Sequence, residues 1–241
     1  MEFSKIFKTY DFKKLFQYTT NEIYRKVFFN LLQNSYSQNG EDLTIDSLLN
    51  FPKTGFYVDV GANHPDRFSN TKRFYKRGWN GINIEPNPDL FVHFPKRTRD
   101  INLNIGVDSK DSTSLRFYRF FPNTLSTFSA ETAERYRNMG YDLVDIVESE
   151  VRTLERIFEE YAQNKTIDFL NIDVEGMEME VLKGNNWGKY RPKVICLEAV
   201  EHSLEGDGKS KVFEQLSYLN QFEYELVYHN GINAIYKICN L

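Results

Sequence analysis

Two cysteines in 241 residues leave no material for a disulfide framework, and no Cys-x-x-Cys spacing exists for zinc or redox chemistry. Both, Cys196 and Cys239, lie in apolar stretches, which predicts buried thiols in a reducing compartment and a cytoplasmic location. No uncharged run reaches the roughly 18 residues that a membrane helix needs, and the N-terminus lacks the apolar core of a signal peptide. Positive charge is not in excess: Lys+Arg number 30 against 34 Asp+Glu, a formal net charge of −4. That balance excludes the basic face of a general nucleic-acid binder. Internal repeats, low-complexity tracts and Pro-rich linkers are missing too, so the reading is one domain, residues 35–241, preceded by an arm.

The arm, residues 1–34, holds six Lys/Arg against three acids, a charge of +3, which leaves −7 for the remainder. Ile6, Phe7, Tyr10, Leu15, Phe16, Ile23, Val27 and Leu31 recur at helical intervals among the lysines. The pattern predicts a helical arm packed on the domain or on a second subunit. Weak contact with a membrane surface is the other reading.

From Gly55 the chain alternates strands with helical stretches, the pattern of a parallel sheet covered on both faces. Strands are expected at 56–60, 81–84, 101–107, 167–172 and 193–198, with helices at 71–77, 88–94, 154–162, 177–182 and 211–220. Thr153 is placed to cap the third of these helices. Residues 224–229 and 234–239 alternate in β fashion around Asn230-Gly231, a hairpin signal. Residues 108–152 interrupt the repeat. "SLRFYRF" and "LVDIVESEVRTL" read as extra strands around a short helix, "SAETAERYRNM". An insertion at this edge is expected to shape the second substrate's pocket, with "FPNTLSTFS" (Phe121–Ser129) lining it.

The glycines that a phosphate cradle needs are lacking where they would matter. "VDVGANHP" puts Asp59, Gly61 and Asn63 at the carboxyl end of the first strand, but Ala62, Asn63, His64 and Pro65 follow the single glycine. A dinucleotide turn needs G-x-G-x-x-G, and proline offers no N–H to an anion. S-adenosylmethionine carries no phosphate. Asp59 suits its amino-acid end, and Glu85, 24 residues after Gly61, suits its ribose hydroxyls. Asp108 follows the third strand, where it can meet the adenine amino group. Ser69, at the start of the next helix, is a further candidate contact. Each acid alone could merely cap a helix or organise a turn; three at successive strand tips point to the cofactor.

Those residues, together with "SYSQNGEDL" (Ser35–Leu43), "VRTLERI" (Val151–Ile157) and "IDFLNIDVEGMEMEVLKG" (Ile167–Gly184), resemble the FkbM family of S-adenosylmethionine-dependent methyltransferases. The resemblance covers about residues 35–240. It implies a class I methyltransferase (Rossmann-like) α/β fold, with a seven-stranded, mostly parallel sheet, its last strand antiparallel and helices on both faces. It also implies O-methylation, with hydroxyls of polyketides or of sugars in bacterial glycan pathways as acceptors. Asp59, Gly61, Asn63 and Glu85 are the positions it carries over for cofactor contact, followed by Asp108.

An alcohol acceptor must lose its proton, which calls for a base or a metal. Asp173 and Glu175 lie just past the fourth strand and Glu198 ends the fifth. Asp173 with Glu198 could hold a divalent cation such as Mg²⁺, or the acids could simply organise their loop. His202 and His64 are the candidate bases by residue type; His93 and His229 read as structural. The expected function is methyl transfer to a sugar hydroxyl in a bacterial glycan or its nucleotide-sugar precursor, by a protein able to form homo-oligomers. A non-catalytic scaffold that keeps the fold is the alternative. An NAD-dependent sugar enzyme is disfavoured by the missing glycines.

Overall fold

The computed structural model describes residues 34–199 and 209–239. The N-terminal arm, apart from Asn34, and His202 lie outside the described residues. Seven strands form one sheet: β1 (Phe56–Val60), β2 (Asn80–Ile84), β3 (Ile101–Leu103), β7 (Phe169–Ile172), β8 (Val194–Glu198), β9 (Tyr224–His229) and β10 (Asn233–Ile238). Their order is β3-β2-β1-β7-β8-β10-β9. The first five run parallel, and β10 lies antiparallel between β8 and β9. The Asn230-Gly231 hairpin therefore ends the sheet as expected. Asn230 Oδ1 accepts from Ile232 N (3.0 Å) and Asn233 N (2.7 Å) to close the turn.

β1, β7 and β8 are buried along their whole length, as strands covered on both faces must be. One side packs Val58, Val60, Ile82, Leu170, Ile172 and Leu197 against the helices α5 (Leu154–Tyr161) and α6 (Glu178–Lys183). On the other, Tyr57, Phe74, Trp79 and Phe169 form an aromatic core with Ile45. Phe74 belongs to α2 (Lys72–Arg77), and Ile45 to α1 (Glu41–Leu48). Thr153 caps α5 by accepting from Arg156 N (3.2 Å), as its sequence position predicts.

The insertion folds as a second sheet, in the order β4-β6-β5, from β4 (Gly106–Val107), β5 (Ser112–Phe121) and β6 (Asp142–Arg152). A short helix, α3 (Pro88–Phe91), follows β2, and a longer one, α4 (Ala130–Asn138), joins the two long strands and is capped by Ser129. The expected single strand 101–107 is thus two. At Asn104 the side-chain amide takes over the hydrogen bonding, donating to the carbonyls of Glu85 (2.7 Å) and Pro86 (3.1 Å). The chain then leaves β2 and pairs with β6 instead. Cys239 also departs from expectation. β10 stops at Ile238, and Cys239 is exposed whereas Cys196 is buried.

Candidate active site

A cleft of about 420 Å³ opens at the carboxyl ends of β1, β2, β7 and β8, the edge where parallel α/β sheets bind ligands. Its floor is the turn after β1. Gly61 has φ +73°, and a Cβ there would sit 1.8 Å from the Asp173 carbonyl oxygen. Only glycine lets the tips of β1 and β7 meet so closely. Behind the turn, Asp59 accepts from Thr71 Oγ1 (2.7 Å) and Asn171 Nδ2 (2.9 Å). Asn171 in turn accepts from Asn70 (2.9 Å). Burial raises the Asp59 pKa, and these two bonds to its carboxylate oppose the rise.

Arg97 fastens the loop between β1 and α2 from the back. It is 2% exposed and donates to Tyr57 Oη (3.2 Å), Thr71 Oγ1 (3.1 Å), Ser69 Oγ (3.0 Å) and the Pro65 carbonyl. Its carboxylate neighbour is Asp100, at 3.8 Å. Ser69, expected to touch the cofactor, lines the cleft, but its hydroxyl also accepts from Lys72 N (3.1 Å). No periodicity or motif marks Arg97 in the sequence, and its role exists only once the loop has folded over it.

Glu85, at the tip of β2, is buried and lines the cleft. Its two oxygens accept from Asn63 N (2.7 Å) and Asn87 N (2.8 Å), leaving lone pairs over for a ligand. Asn63, at φ +51°, is thereby held in the left-handed region. Burial pushes the Glu85 carboxyl up to about 7; the charge of Asp59 adds to this, and the two N–H bonds resist it. A carboxyl raised above its ordinary value of 4.5 favours the fold at acid pH. That contribution is complete below about 4.5 and is lost as pH rises through about 7, worth roughly 3 kcal/mol in all at 1.36 kcal/mol per unit. Melting temperatures of the ligand-free protein are therefore expected to fall between pH 5 and 8. Glu85→Gln should flatten that slope relative to wild type, and parallel slopes would refute the assignment.

Beyond Glu85 the cleft becomes apolar, lined by Ile84, Leu90, Ile105, Val107, Phe117 and Phe128. Phe117 and Phe128 pack as a tilted pair, with centroids 4.7 Å apart and ring planes at 44°. Gly106 makes room for them, since a Cβ there would fall 2.4 Å from the Phe128 ring. The inserted sheet thus walls the end next to Glu85. Asp108 does not join it. With the third strand broken, Asp108 follows β4, its carboxylate accepts from Ser109 N and Oγ, and it is not among the lining residues.

The opposite end is acidic. Asp173, Glu175 and Glu198 each bring a carboxylate oxygen into a group within 4.8 Å. Glu175 (φ +53°) and Gly176 (φ +100°) make the turn. Glu178 holds it by accepting from Val174 N (3.3 Å) and Gly176 N (3.1 Å). Lys211, on the helix Lys209–Leu219, bridges Glu178 (2.9 Å) and Glu198 (3.3 Å). The Asp173 pKa is raised well above the usual carboxylate range by the protein packed around it and by the charges of Glu198, Glu175 and Glu178, with Lys211 opposing. Because its side chain opens onto the cleft, the like charges are the cause that holds in water. The turn Asn123–Leu125 and Ser126 also line the cleft, and Thr127 Oγ1 donates to the Glu175 carbonyl (3.3 Å).

His64 is not placed as a base. Its Nδ1 accepts from Asp66 N (3.0 Å) and Arg67 N (3.2 Å), its ring lies against His93, and it is not among the cleft-lining residues. Burial, aided by the charges of Arg67 and Lys96, lowers its pKa to about 4, too low to draw a proton from an alcohol near neutrality. Sequence reasoning also passed over Gln38 and Asn233, which line the cleft as well, Asn233 as the register partner of Glu198. Both are set by "SYSQNGED". Glu41 is buried and accepts from Asn230 (2.8 Å) and Asn233 (2.9 Å), while Asp42 accepts from Ser35 (2.5 Å), Ser37 (3.0 Å) and Tyr36 N (2.8 Å).

This strand order, with an acidic cleft at the parallel tips, is that of the class I methyltransferase fold. The profile of the methyltransferase FkbM domain matches residues 59–226, and the chain belongs to that family of S-adenosylmethionine-dependent methyltransferases. Among solved structures, a precorrin-6y C5,15-methyltransferase from Geobacter metallireducens is similar at 14% identity and a TM-score of 0.40, over 81% of this chain and 86% of that one. A TehB-like SAM-dependent methyltransferase from Corynebacterium glutamicum is similar at 13% and 0.38, over 91% and 98%. At such scores neither likeness carries an argument about chemistry. Among curated proteins, none matches the sequence.

Proposed function

We propose that the protein transfers a methyl group to a hydroxyl oxygen of a sugar unit in a bacterial glycan or its nucleotide-linked precursor. The observation that carries the reading is the Asp173 carboxylate, open at the tip of β7 to a cleft that Asn123, Thr124 and Ser126 also line. When bound, S-adenosylmethionine supplies an electrophilic methyl on a positively charged sulfur. The cleft fits it: Glu85 has lone pairs left for two ribose hydroxyls, the wall of Phe117 and Phe128 suits an adenine face, and Gln38, Ser69, Asn70 and Asn233 offer amide and hydroxyl partners to an amino acid. Asp59 backs that end.

Asp173 takes the acceptor's proton, and Glu175 and Glu198 accept hydrogen bonds from neighbouring hydroxyls. Holding acceptor and donor in line is worth roughly 7–11 kcal/mol of barrier, and this chain supplies it through a rigid floor locked by Gly61, Asp59 and Arg97. The carboxylate group favours a second reading, in which a hard divalent cation held by Asp173, Glu175 and Glu198 activates the hydroxyl. Lys211 already offsets charge there, so dialysis against EDTA is expected to leave activity within twofold. A loss that Mg²⁺ restores would establish the metal instead.

The deciding experiment incubates the protein with methyl-labelled cofactor and fractionated glycans and locates label by mass spectrometry. Label on a sugar oxygen supports the reading. Cofactor binding without any transfer leaves the non-catalytic scaffold, and label on nitrogen or carbon refutes O-methylation.

A further inference from the structure

The cleft's charge is one-sided in a way that the fold does not require. Five carboxylates line it, from Asp59, Glu85, Asp173, Glu175 and Glu198, and among the described residues no Lys, Arg or His joins them. The cations nearby are turned to other work. Arg97 is spent behind the β1 loop, and Lys211 pairs with Glu178 and Glu198 from outside the lining.

Asp59 and Glu85 belong to the seat of a cationic donor. Asp173, Glu175 and Glu198 lie at the other end, where the acceptor must sit. Ionised carboxylates accept hydrogen bonds and donate none. They match hydroxyl or ammonium donors and repel phosphate, and like charges a few ångströms apart in a partly enclosed cleft interact far more strongly than in bulk water. The segment Asn123–Ser126 that also lines the cleft is uncharged, so it gives an anion no compensating cation. A site for a nucleotide-linked sugar would need Arg, Lys or a cradle of backbone N–H groups for the diphosphate.

Resting on the reading of a sugar acceptor, we propose that the acceptor is an uncharged or amino-bearing glycoside and that phosphorylated, nucleotide-linked and uronic-acid sugars are refused. Glu175 and Glu198 are the residues that set this charge preference. Methylation then follows release of the sugar from its nucleotide carrier, that is, it acts on the product of a glycosyl-transfer reaction.

The test uses matched acceptors: methyl glycosides of hexoses and 2-amino-2-deoxyhexoses, each beside its 6-phosphate and beside the UDP sugar in which UDP replaces the methyl aglycone, with tritiated S-adenosylmethionine. The neutral and amino members are expected to exceed their phosphorylated partners at least tenfold in kcat/KM. Glu175→Lys should shrink that ratio at least fivefold with cofactor Kd unchanged, and Glu175→Gln should shrink it less. A phosphorylated or UDP-linked member that equals or beats its neutral partner overturns the inference and leaves the sugar reading standing. Cofactor binding with no label on any member overturns both.

Discussion

Asp173→Asn is expected to lower kcat by roughly 10²–10⁴-fold, the range that a positioned acid–base group supplies, while cofactor affinity stays within a few-fold of wild type. Asparagine keeps the shape but cannot take the acceptor's proton. The backbone is not at stake, because the Asp173 N–H bonds to the Val60 carbonyl (3.0 Å) and its own carbonyl abuts Gly61. The same variant is expected to melt at a higher temperature at neutral pH. The crowd of Glu198, Glu175 and Glu178 that raises the Asp173 pKa makes the ionised side chain a strain on the fold, of the kind that active sites retain for chemistry. A rise in Tm with loss of turnover separates a catalytic carboxylate from one that merely organises a loop. Turnover within threefold of wild type would remove Asp173 from the mechanism.

Gly61→Ala should cost about 4 kcal/mol, which for a chain of this size lowers Tm by roughly 8–16 °C. Two penalties combine. The left-handed φ of +73° is strained for any residue with a Cβ, by roughly 1–2 kcal/mol. The methyl would also collide with the Asp173 carbonyl at 1.8 Å, and a backbone atom cannot rotate away as a flexible side chain could. Gly231→Ala is the control. Its φ is +87° with nothing within 4 Å of the added Cβ, so only the conformational penalty applies. Equal melting shifts in the two variants, read by calorimetry, would show that the close approach of β1 and β7 is not what requires the glycine.

How far the sequence revealed all this depends on what each residue answers to. Strands β1, β9 and β10, the hairpin and the Thr153 cap were legible because they follow local rules: apolar runs, Asn-Gly, a hydroxyl before a helix. Glu85 and Asp173 were legible as candidates because strand tips can be counted. The misreadings arose where a side chain overrode the backbone pattern. Asn104 bonds to the Glu85 carbonyl and turns the chain out of the sheet, which carries Asp108 away from the cleft. His64 looks poised for catalysis by residue type, yet its Nδ1 closes a turn. Arg97, Gln38 and the Phe117–Phe128 wall depend on contacts between distant segments, and no local signal encodes them. The "SYSQNGED" stretch was visible as a motif but mute about its task until Glu41 was seen reaching the far hairpin.

That reach bears on where the folding unit begins and stops. Glu41 clasps Asn230 and Asn233 across nearly two hundred positions of chain, so the head and tail of the domain are fastened to each other beside the cleft. The family match, residues 59–226, takes in neither partner of this clasp, and it leaves out β10, the strand wedged between β8 and β9. A polypeptide cut to those limits would expose the flank of β8 and lose two walls of the cleft. The piece that keeps the clasp, β10 and the whole cleft lining is thus longer, at both ends, than the stretch by which its kinship is known.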